Sequence, residues 1–194
     1  MVVAPFNQYA ERYEAWFEKY PAVFQSELKL ILSLVPGQGQ GLEIGVGSGR
    51  FAVGCGVSVG IDPSDVLSSY ARRAGIPVVS ATAEDIPFKD ESFAWALMVT
   101  TLCFLDDEQA AFQEINRVLK PGGYVVIGFV DKASEPGSRY VKSRAQNVFY
   151  QWAHFYSTPE VCDILRRHEF DVCDIKQTLK SPIELIEERE PYED

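Results

Sequence analysis

The sequence predicts an α/β fold: a mainly parallel β-sheet covered by helices on both faces. Short apolar runs at 41–46, 57–61, 76–79, 93–99 and 124–130 alternate with helical stretches near 48–53, 64–74 and 107–119, and such alternation builds parallel strand pairs through crossovers. A glycine-rich turn, Gly45-Val46-Gly47-Ser48-Gly49, joins the first run to the first of these helices.

Before the sheet, Phe6, Tyr9, Ala10, Tyr13, Trp16, Phe17 and Tyr20 recur at three- and four-residue steps with Glu11, Glu14 and Glu18 between them. That spacing predicts an amphipathic helix, ended by Pro21. A second helix over 24–35 stops at Pro36-Gly37. In the helix at 107–119, Asp106 or Asp107 caps the start, Phe112, Ile115, Val118 and Leu119 form the apolar stripe, and Pro121-Gly122-Gly123 forces the exit. Beyond the fifth strand, 137–152 is weakly helical, 158–168 is a helix with Pro159 in its first turn, and 170–179 is a final strand.

With 194 residues, 46% of them hydrophobic, the chain is sized for one domain over 1–194 around one core. It has neither an apolar run of about eighteen residues nor a basic start followed by an apolar stretch, so a cytoplasmic protein with no membrane partner is expected. Cys55, Cys103, Cys162 and Cys173 form no C-x-x-C pair and sit in apolar stretches, as small core residues do. A cluster of Cys162, His168 and Cys173 is irregularly spaced and lacks a fourth ligand, so no metal is expected. The net charge of −10, without a basic stripe, repels phosphate backbones and argues against nucleic acid as a partner. Half of the excess lies in 184–194, where Glu184, Glu187, Glu188, Glu190, Glu193 and Asp194 face Arg189 alone. This composition predicts a solvated, partly disordered end.

The turn after the first strand lets backbone approach a ligand, because no Cβ intervenes and glycine tolerates positive φ, although a plain strand-to-helix turn uses the same residues. Gly60-Ile61-Asp62 places a carboxylate at the end of the second strand, nineteen positions beyond Glu43. There it can accept both hydroxyl hydrogens of a ribose, though a surface Asp-Pro turn reads alike. In the dinucleotide fingerprint G-x-G-x-x-G the third glycine would fall at Arg50; here Gly49 comes one residue early. The helix at 48–53 is also short, with little macrodipole to hold two phosphates. The pattern favours a nucleoside ligand without phosphates.

Four ordered segments, E-x-G-x-G-x-G at 43–49, G-I-D-P-S at 60–64, A-T-A-E-D-I-P-F at 81–88 and L-K-P-G-G-Y at 119–124, resemble the class I S-adenosylmethionine-dependent methyltransferases. The likeness covers about residues 5–180 and is greatest to the small enzymes of quinone biosynthesis and to compact bacterial proteins of the superfamily. It implies a Rossmann-like doubly wound sheet with N-terminal helices and a shortened C-terminal antiparallel part. It also implies a helical lid (1–36), a cofactor-binding core (37–131), a substrate side with the last strand (132–180) and an acidic tail (181–194).

The implied cofactor is S-adenosyl-L-methionine. By the resemblance, Glu43, Gly45 and Gly47 lie by its methionine portion in the loop that Gly49 completes, Asp62 holds the ribose, and Pro63 and Ser64 flank the adenine. The family commonly has Asp where this chain has Thr82, so Thr82, Glu84 or Asp85 is expected on the adenine amino group and the Ala83 N–H on a ring nitrogen. Val99, Thr100 and Thr101 end the fourth strand near the methionine ammonium, and Leu102-Cys103-Phe104 lines the methyl-transfer mouth.

Methyl transfer from a sulfonium is an in-line displacement in which the protein aligns the partners and excludes water, so no catalytic residue is singled out. Where the acceptor needs a base, the candidates are Tyr9, Tyr13, Asp131, Tyr140, His154 and Tyr156. The Asn/Asp-Pro-Pro-Tyr segment of nucleic-acid amino methyltransferases is absent after the fourth strand, as is the paired-glutamate loop of arginine methyltransferases, and the main reading is transfer to a small-molecule acceptor. Tyr9, Tyr13, Trp16 and Phe17 read either as an aromatic lid over that acceptor or as a core stripe, and Phe104, Tyr140 and His154 complete the expected substrate side. Family members end in an antiparallel hairpin; here 170–179 supplies one strand and 181–188 reads as a short acidic helix. The open sheet edge invites a homodimer. Two further readings use the same residues: a nicotinamide-linked oxidoreductase, opposed by the glycine spacing, and a non-catalytic partner protein retaining the cofactor fold.

Overall fold

Leu42, Ile44, Ala96 and Met98 are buried on one face of the sheet, and Trp95, Leu97 and Val99 on the other. Strands buried on both faces need helices above and below. The computed structural model, which describes residues 3–193, has that arrangement. Five parallel strands, β1 (Gly41–Ile44), β2 (Val59–Ile61), β3 (Val78–Val79), β4 (Phe93–Val99) and β5 (Leu119–Gly128), lie in the order β3-β2-β1-β4-β5. The helices are α1 (Ala4–Gln8), α2 (Ala10–Lys19), α3 (Pro21–Leu32), α4 (Arg50–Cys55), α5 (Asp65–Arg73), α6 (Glu108–Val118), α7 (Glu135–Ser143) and α8 (Thr158–Arg167). Phe112 and Ile115 of α6 and Val161 and Ile164 of α8 cover one face; Ile31, Ala52 and Ala71, from α3, α4 and α5, cover the other. The strand order reverses between β1 and β4, where open α/β sheets form their ligand crevice.

Several boundaries differ from expectation. The first helix is two, α1 and α2, broken at Tyr9, and Pro21 opens α3 instead of ending α2. Proline serves both purposes, because its missing N–H is not needed at a first helical position. Pro121-Gly122-Gly123 lies inside β5, at a register shift opposite Phe93 and Trp95, rather than before the strand. An edge strand tolerates proline and a bulge.

The C-terminal part corrects three expectations. No strand forms at 170–179: the segment pairs through an isolated antiparallel bridge between Gln177 and Glu193, and β5 ends the sheet. The helix expected at 181–188 is a 3-10 turn, Ile183–Leu185. The tail is solvated at most of its acids, as expected, but it is also docked, with Ile186 buried and the Glu190 N–H donating to Ser26 Oγ at 2.8 Å; Asp194 lies outside the described residues. The Tyr192 ring lies under the ammonium groups of Lys29 and Lys176, at 5.7 and 5.2 Å from its centroid. Counting charge overlooks such anchors, since a few apolar contacts can hold a segment whose acids stay in water. No helix among the described residues is long and apolar enough to cross a membrane.

Candidate functional site

The loops after β1 and β4 meet at the point where the strand order reverses. Gly45 has φ +73°, and a Cβ there would stand 2.2 Å from Thr101 Oγ1. Only glycine fits this position without moving the β4 loop. Gly47 and Gly49 also have positive φ, but Gly49 serves the packing beneath the loop, since a Cβ on it would stand 2.9 Å from the Ala71 Cβ. Its bare backbone lets α4 sit against α5. The loop's N–H groups turn inward, those of Gly45 and Val46 to the Ile61 carbonyl at 2.9 and 3.0 Å and that of Gly49 to Val46 at 2.8 Å. The crevice is therefore furnished by carboxylates more than by free backbone donors.

Asp62, buried at the end of β2, accepts from the Gly47 N–H through one oxygen and from the Ser64 N–H through the other, each at 2.7 Å. Burial raises its pKa, and the two backbone bonds pull it back. Each carboxylate oxygen retains a second lone pair for an incoming hydroxyl. Glu43 on β1 is only 2% exposed, and its Oε2 has no hydrogen-bond partner. Burial, reinforced by the negative charge of Asp62, holds the Glu43 carboxyl well above the ordinary carboxylate range, against the Ala52 backbone N–H. Ser48 Oγ is a second buried polar atom without a partner. An unpaired acid beside another acid suits a cation-bearing ligand.

The sign of this coupling can be tested. With its pKa raised, free Glu43 keeps its proton above the usual carboxylate range; a cation beside it lowers the pKa and expels that proton. Ligand affinity should therefore climb with pH from the ordinary carboxylate range up to the raised value, with proton release visible as a buffer-dependent calorimetric enthalpy. Glu43→Gln should abolish that release, and buffer-independent heats in the wild type would refute the role.

The N-terminal helices cover this crevice. A Cβ on Gly47 would meet the Tyr13 hydroxyl at 3.4 Å, so the phenol of α2 rests on the glycine loop. Burial, then the charges of Asp62 and Glu43, raise the Tyr13 pKa and keep the phenol protonated. Arg50 ties α4 to α2 through Glu14 at 2.6 Å, and Ser64 Oγ donates to Asn7 Oδ1 at 2.6 Å, tying α5 to α1. Phe6 packs edge-on to Phe104 at 5.3 Å and leans on Phe149 at 5.4 Å, while Phe104 stacks on Tyr150 at 5.8 Å. Tyr9 and Tyr13 reach Phe149 at 6.4 and 6.1 Å.

Along the remaining wall, Ala83 is buried, whereas Glu84 accepts the Asp106 N–H at 3.0 Å and braces the loop after β4. Thr82 closes a tight turn with Asp85, and Pro63 is half-buried beside Ser64, the N-cap of α5. Thr100 has φ +51°, a strained conformation for a β-branched residue, held by its N–H to Gly128 at 2.7 Å. The Val99 carbonyl accepts from Thr101 Oγ1 at 3.2 Å. Burial pushes the Cys103 thiol up to about 12, so it stays protonated beside the Thr100 carbonyl.

Of the base candidates, one is exposed and another is engaged by backbone and hydroxyl donors. His154 is exposed, its ring against Tyr156 at 4.6 Å, outside the aromatic group. Asp131 accepts from the Thr158 N–H and hydroxyl at 3.2 and 2.7 Å and from the Ala133 N–H at 2.7 Å, so it anchors the start of α8. Trp16, Tyr140 and Asp131 line a cavity of about 1170 Å³ that runs along β5 and residues 169–179 and meets the crevice at Val99 and Thr100, without the glycine loop, Glu43 or Asp62 in its lining. Glu27 lines it too, and sequence reasoning missed it along with Phe149 and Tyr150. The available signal was a carboxylate on the stripe Val23, Glu27, Leu30, Ile31, Leu34. Among the described residues no group of three or more His, Cys, Asp or Glu side chains is arranged to hold a metal.

The model of a family described as a methyltransferase domain matches residues 42–127. A Thermotoga maritima structure, described as a SAM-dependent methyltransferase, possible histamine N-methyltransferase, aligns with a TM-score of 0.96 at 42% identity, covering 98% of this chain and 92% of that one. An uncharacterized protein of Methanocaldococcus jannaschii is 37% identical over 188 residues, 97% of this chain and 91% of its own length. A demethylmenaquinone methyltransferase of Roseiflexus castenholzii is 33% identical over 123 residues, 56% of this chain and 50% of its length. The chain spans 62% of the length of the mycobacterial relatives it matches.

Proposed function

The chain belongs to the class I S-adenosylmethionine-dependent methyltransferases, and from that premise we propose that it transfers the cofactor's methyl group to a small-molecule acceptor. The observation that carries the cofactor reading is the orphaned, buried Glu43 Oε2 beside Asp62 under the glycine loop. These residues fit the cofactor: Glu43 suits its ammonium group, Asp62 its ribose hydroxyls, and the Ala83 N–H with Thr82 the adenine edge. When bound, the cofactor supplies a sulfonium-activated methyl group. Thr100 and Val99 border its exit, and the rings of Phe6, Tyr13 and Phe104 keep water away. The cavity of about 1170 Å³ reaching Val99 and Thr100 supports a small acceptor.

Calorimetry with S-adenosylmethionine, S-adenosylhomocysteine and NAD, followed by transfer of labelled methyl to pools of amines, phenols and thiols, tests this reading, with Asp62→Ala as the blank. Failure to bind either sulfur nucleoside at millimolar concentration overturns the proposal; binding without transfer to any pool points to the non-catalytic partner instead. The lid reading predicts that Tyr13→Phe weakens S-adenosylmethionine about 2- to 10-fold, the loss of one ordinary hydrogen-bonding group, while Tyr20→Phe leaves affinity and turnover unchanged. Equal and negligible effects would remove the lid. A cytoplasmic setting belongs to the same proposal and is supported by four unbridged cysteines. So does a homodimer, supported by the unpaired edge of β5; sedimentation should show concentration-dependent association, and a monomer throughout would count against it.

A further inference from the structure

We infer that Glu27 is the acceptor-side carboxylate of this enzyme, and that the acceptor it selects is a small primary or secondary amine entering as an ammonium ion. This rests on the methyltransferase reading and adds the substrate class. Glu27 projects from α3 into the cavity that Val99 and Thr100 border at the end of β4, with Trp16 and Tyr140 in the same wall. Trp16 and Tyr140 therefore share a cavity wall with the carboxylate, and its charge acts on the phenols of Tyr13, Tyr140 and Tyr150. A carboxylate among aromatic faces is a receptor for an organic cation, since ring quadrupoles and the anion attract the same charge.

The electrostatic balance agrees. Burial alone pushes the Glu27 carboxyl up to about 8, with no neighbouring cation among the described residues acting to lower it. The groups facing it are phenols, and burial holds those of Tyr13, Tyr140 and Tyr150 protonated. Glu184, which acts on Tyr140, adds negative charge of its own. Arg117, Lys120 and Lys176 also line the cavity, but none of them lowers the Glu27 pKa, so an ammonium ion beside Glu27 is the counter-charge its carboxyl lacks.

Chemically, Glu27 takes one proton from the ammonium nitrogen and frees its lone pair. The pair then forms the new N–C bond as the methyl carbon's bond to sulfur breaks, with the bonding electrons remaining on sulfur. The product leaves as a methylated ammonium, and Glu27 returns its proton to water.

The test uses 2-phenylethylamine and its neutral counterpart 2-phenylethanol as probes, titrated calorimetrically into the full-length protein without cofactor. Wild type should prefer the amine at least 10-fold, with amine affinity rising with pH toward the Glu27 titration and levelling above it. Glu27→Gln should erase both the preference and the pH dependence. It should keep S-adenosylmethionine affinity within 2-fold and lose labelled-methyl transfer to the amine. Because the variant only neutralises a half-buried acid that has a raised pKa, its melting curve should match or exceed that of wild type. Should it fail to fold, the wild-type pH profile decides alone. No amine preference in wild type, a preference retained in Glu27→Gln, or a flat wild-type profile overturns the inference. Failure of the methyltransferase reading itself shows separately, as absent S-adenosylmethionine binding.

Discussion

Replacing Asp62 with alanine should weaken S-adenosylmethionine binding by at least about 100-fold, the loss of two hydrogen bonds to a charged acceptor, as measured by calorimetry. Asp62 also holds the loop that shapes the pocket: without it the Gly47 and Ser64 N–H groups lose their 2.7 Å partners. The melting temperature should therefore fall together with the affinity. Asp62→Asn separates the effects, because its one carbonyl oxygen can keep a backbone bond while its NH₂ group cannot accept a hydroxyl hydrogen. Removing the charge should also lower the Glu43 pKa toward the ordinary range, since Asp62 is the second cause of its elevation. Binding by Asp62→Ala within 3-fold of wild type would place the ribose elsewhere.

Gly45→Ala should destabilise the fold by about 2–5 kcal/mol, combining left-handed backbone strain with overpacking. The added methyl group would stand 2.2 Å from Thr101 Oγ1 and 2.6 Å from its Cγ2, and Thr101 is itself buried and bonded to the Val99 carbonyl. Displacing it shifts the border of the methyl exit, so turnover should fall with stability. Thr101→Ala in the same background should recover the packing share and leave the share due to φ, a non-additivity that thermal melts of the four proteins can resolve. A melting temperature unchanged in Gly45→Ala would show that the loop can relax around the methyl group.

The strands β1, β2 and β4 were legible because each is a short apolar run with a helix after it, whereas β3 passes to β4 without an intervening helix. Trp95-Ala96-Leu97-Met98-Val99 admits no other placement than the middle of a covered sheet. The glycine positions and Asp62 were equally readable, as they sit at strand ends where the backbone must turn. What failed depended on partners that periodicity does not reveal. Residues 170–179 read like a strand, yet a strand also needs a neighbour, and among the described residues the segment's bridge is the isolated Gln177–Glu193 pair. Glu27 carries no motif of its own on the second helix, and only the fold sets it in one cavity with Trp16 and Tyr140. Phe149 and Tyr150 lie at the end of a stretch whose period is only weakly helical, so nothing in their spacing pointed toward Phe6 and Phe104. Glu84, expected near the adenine, is engaged by the Asp106 backbone 22 residues away.

On the proposed lid reading, departure of the spent nucleoside would be governed by how the N-terminal helices are fastened. Their two polar fastenings, Arg50 to Glu14 and Ser64 to Asn7, are only partly shielded, with the Arg50 side chain 38% exposed, and pairs in such settings contribute about 0–1 kcal/mol. The rings of Phe6, Tyr9 and Tyr13 close by non-directional contact and can reseal over whatever lies beneath. Two short helices joined at Tyr9 can therefore swing aside while the turn below keeps its shape. The chain opens at its front end and leaves the sheet, with its strained Thr100, ready for the next molecule.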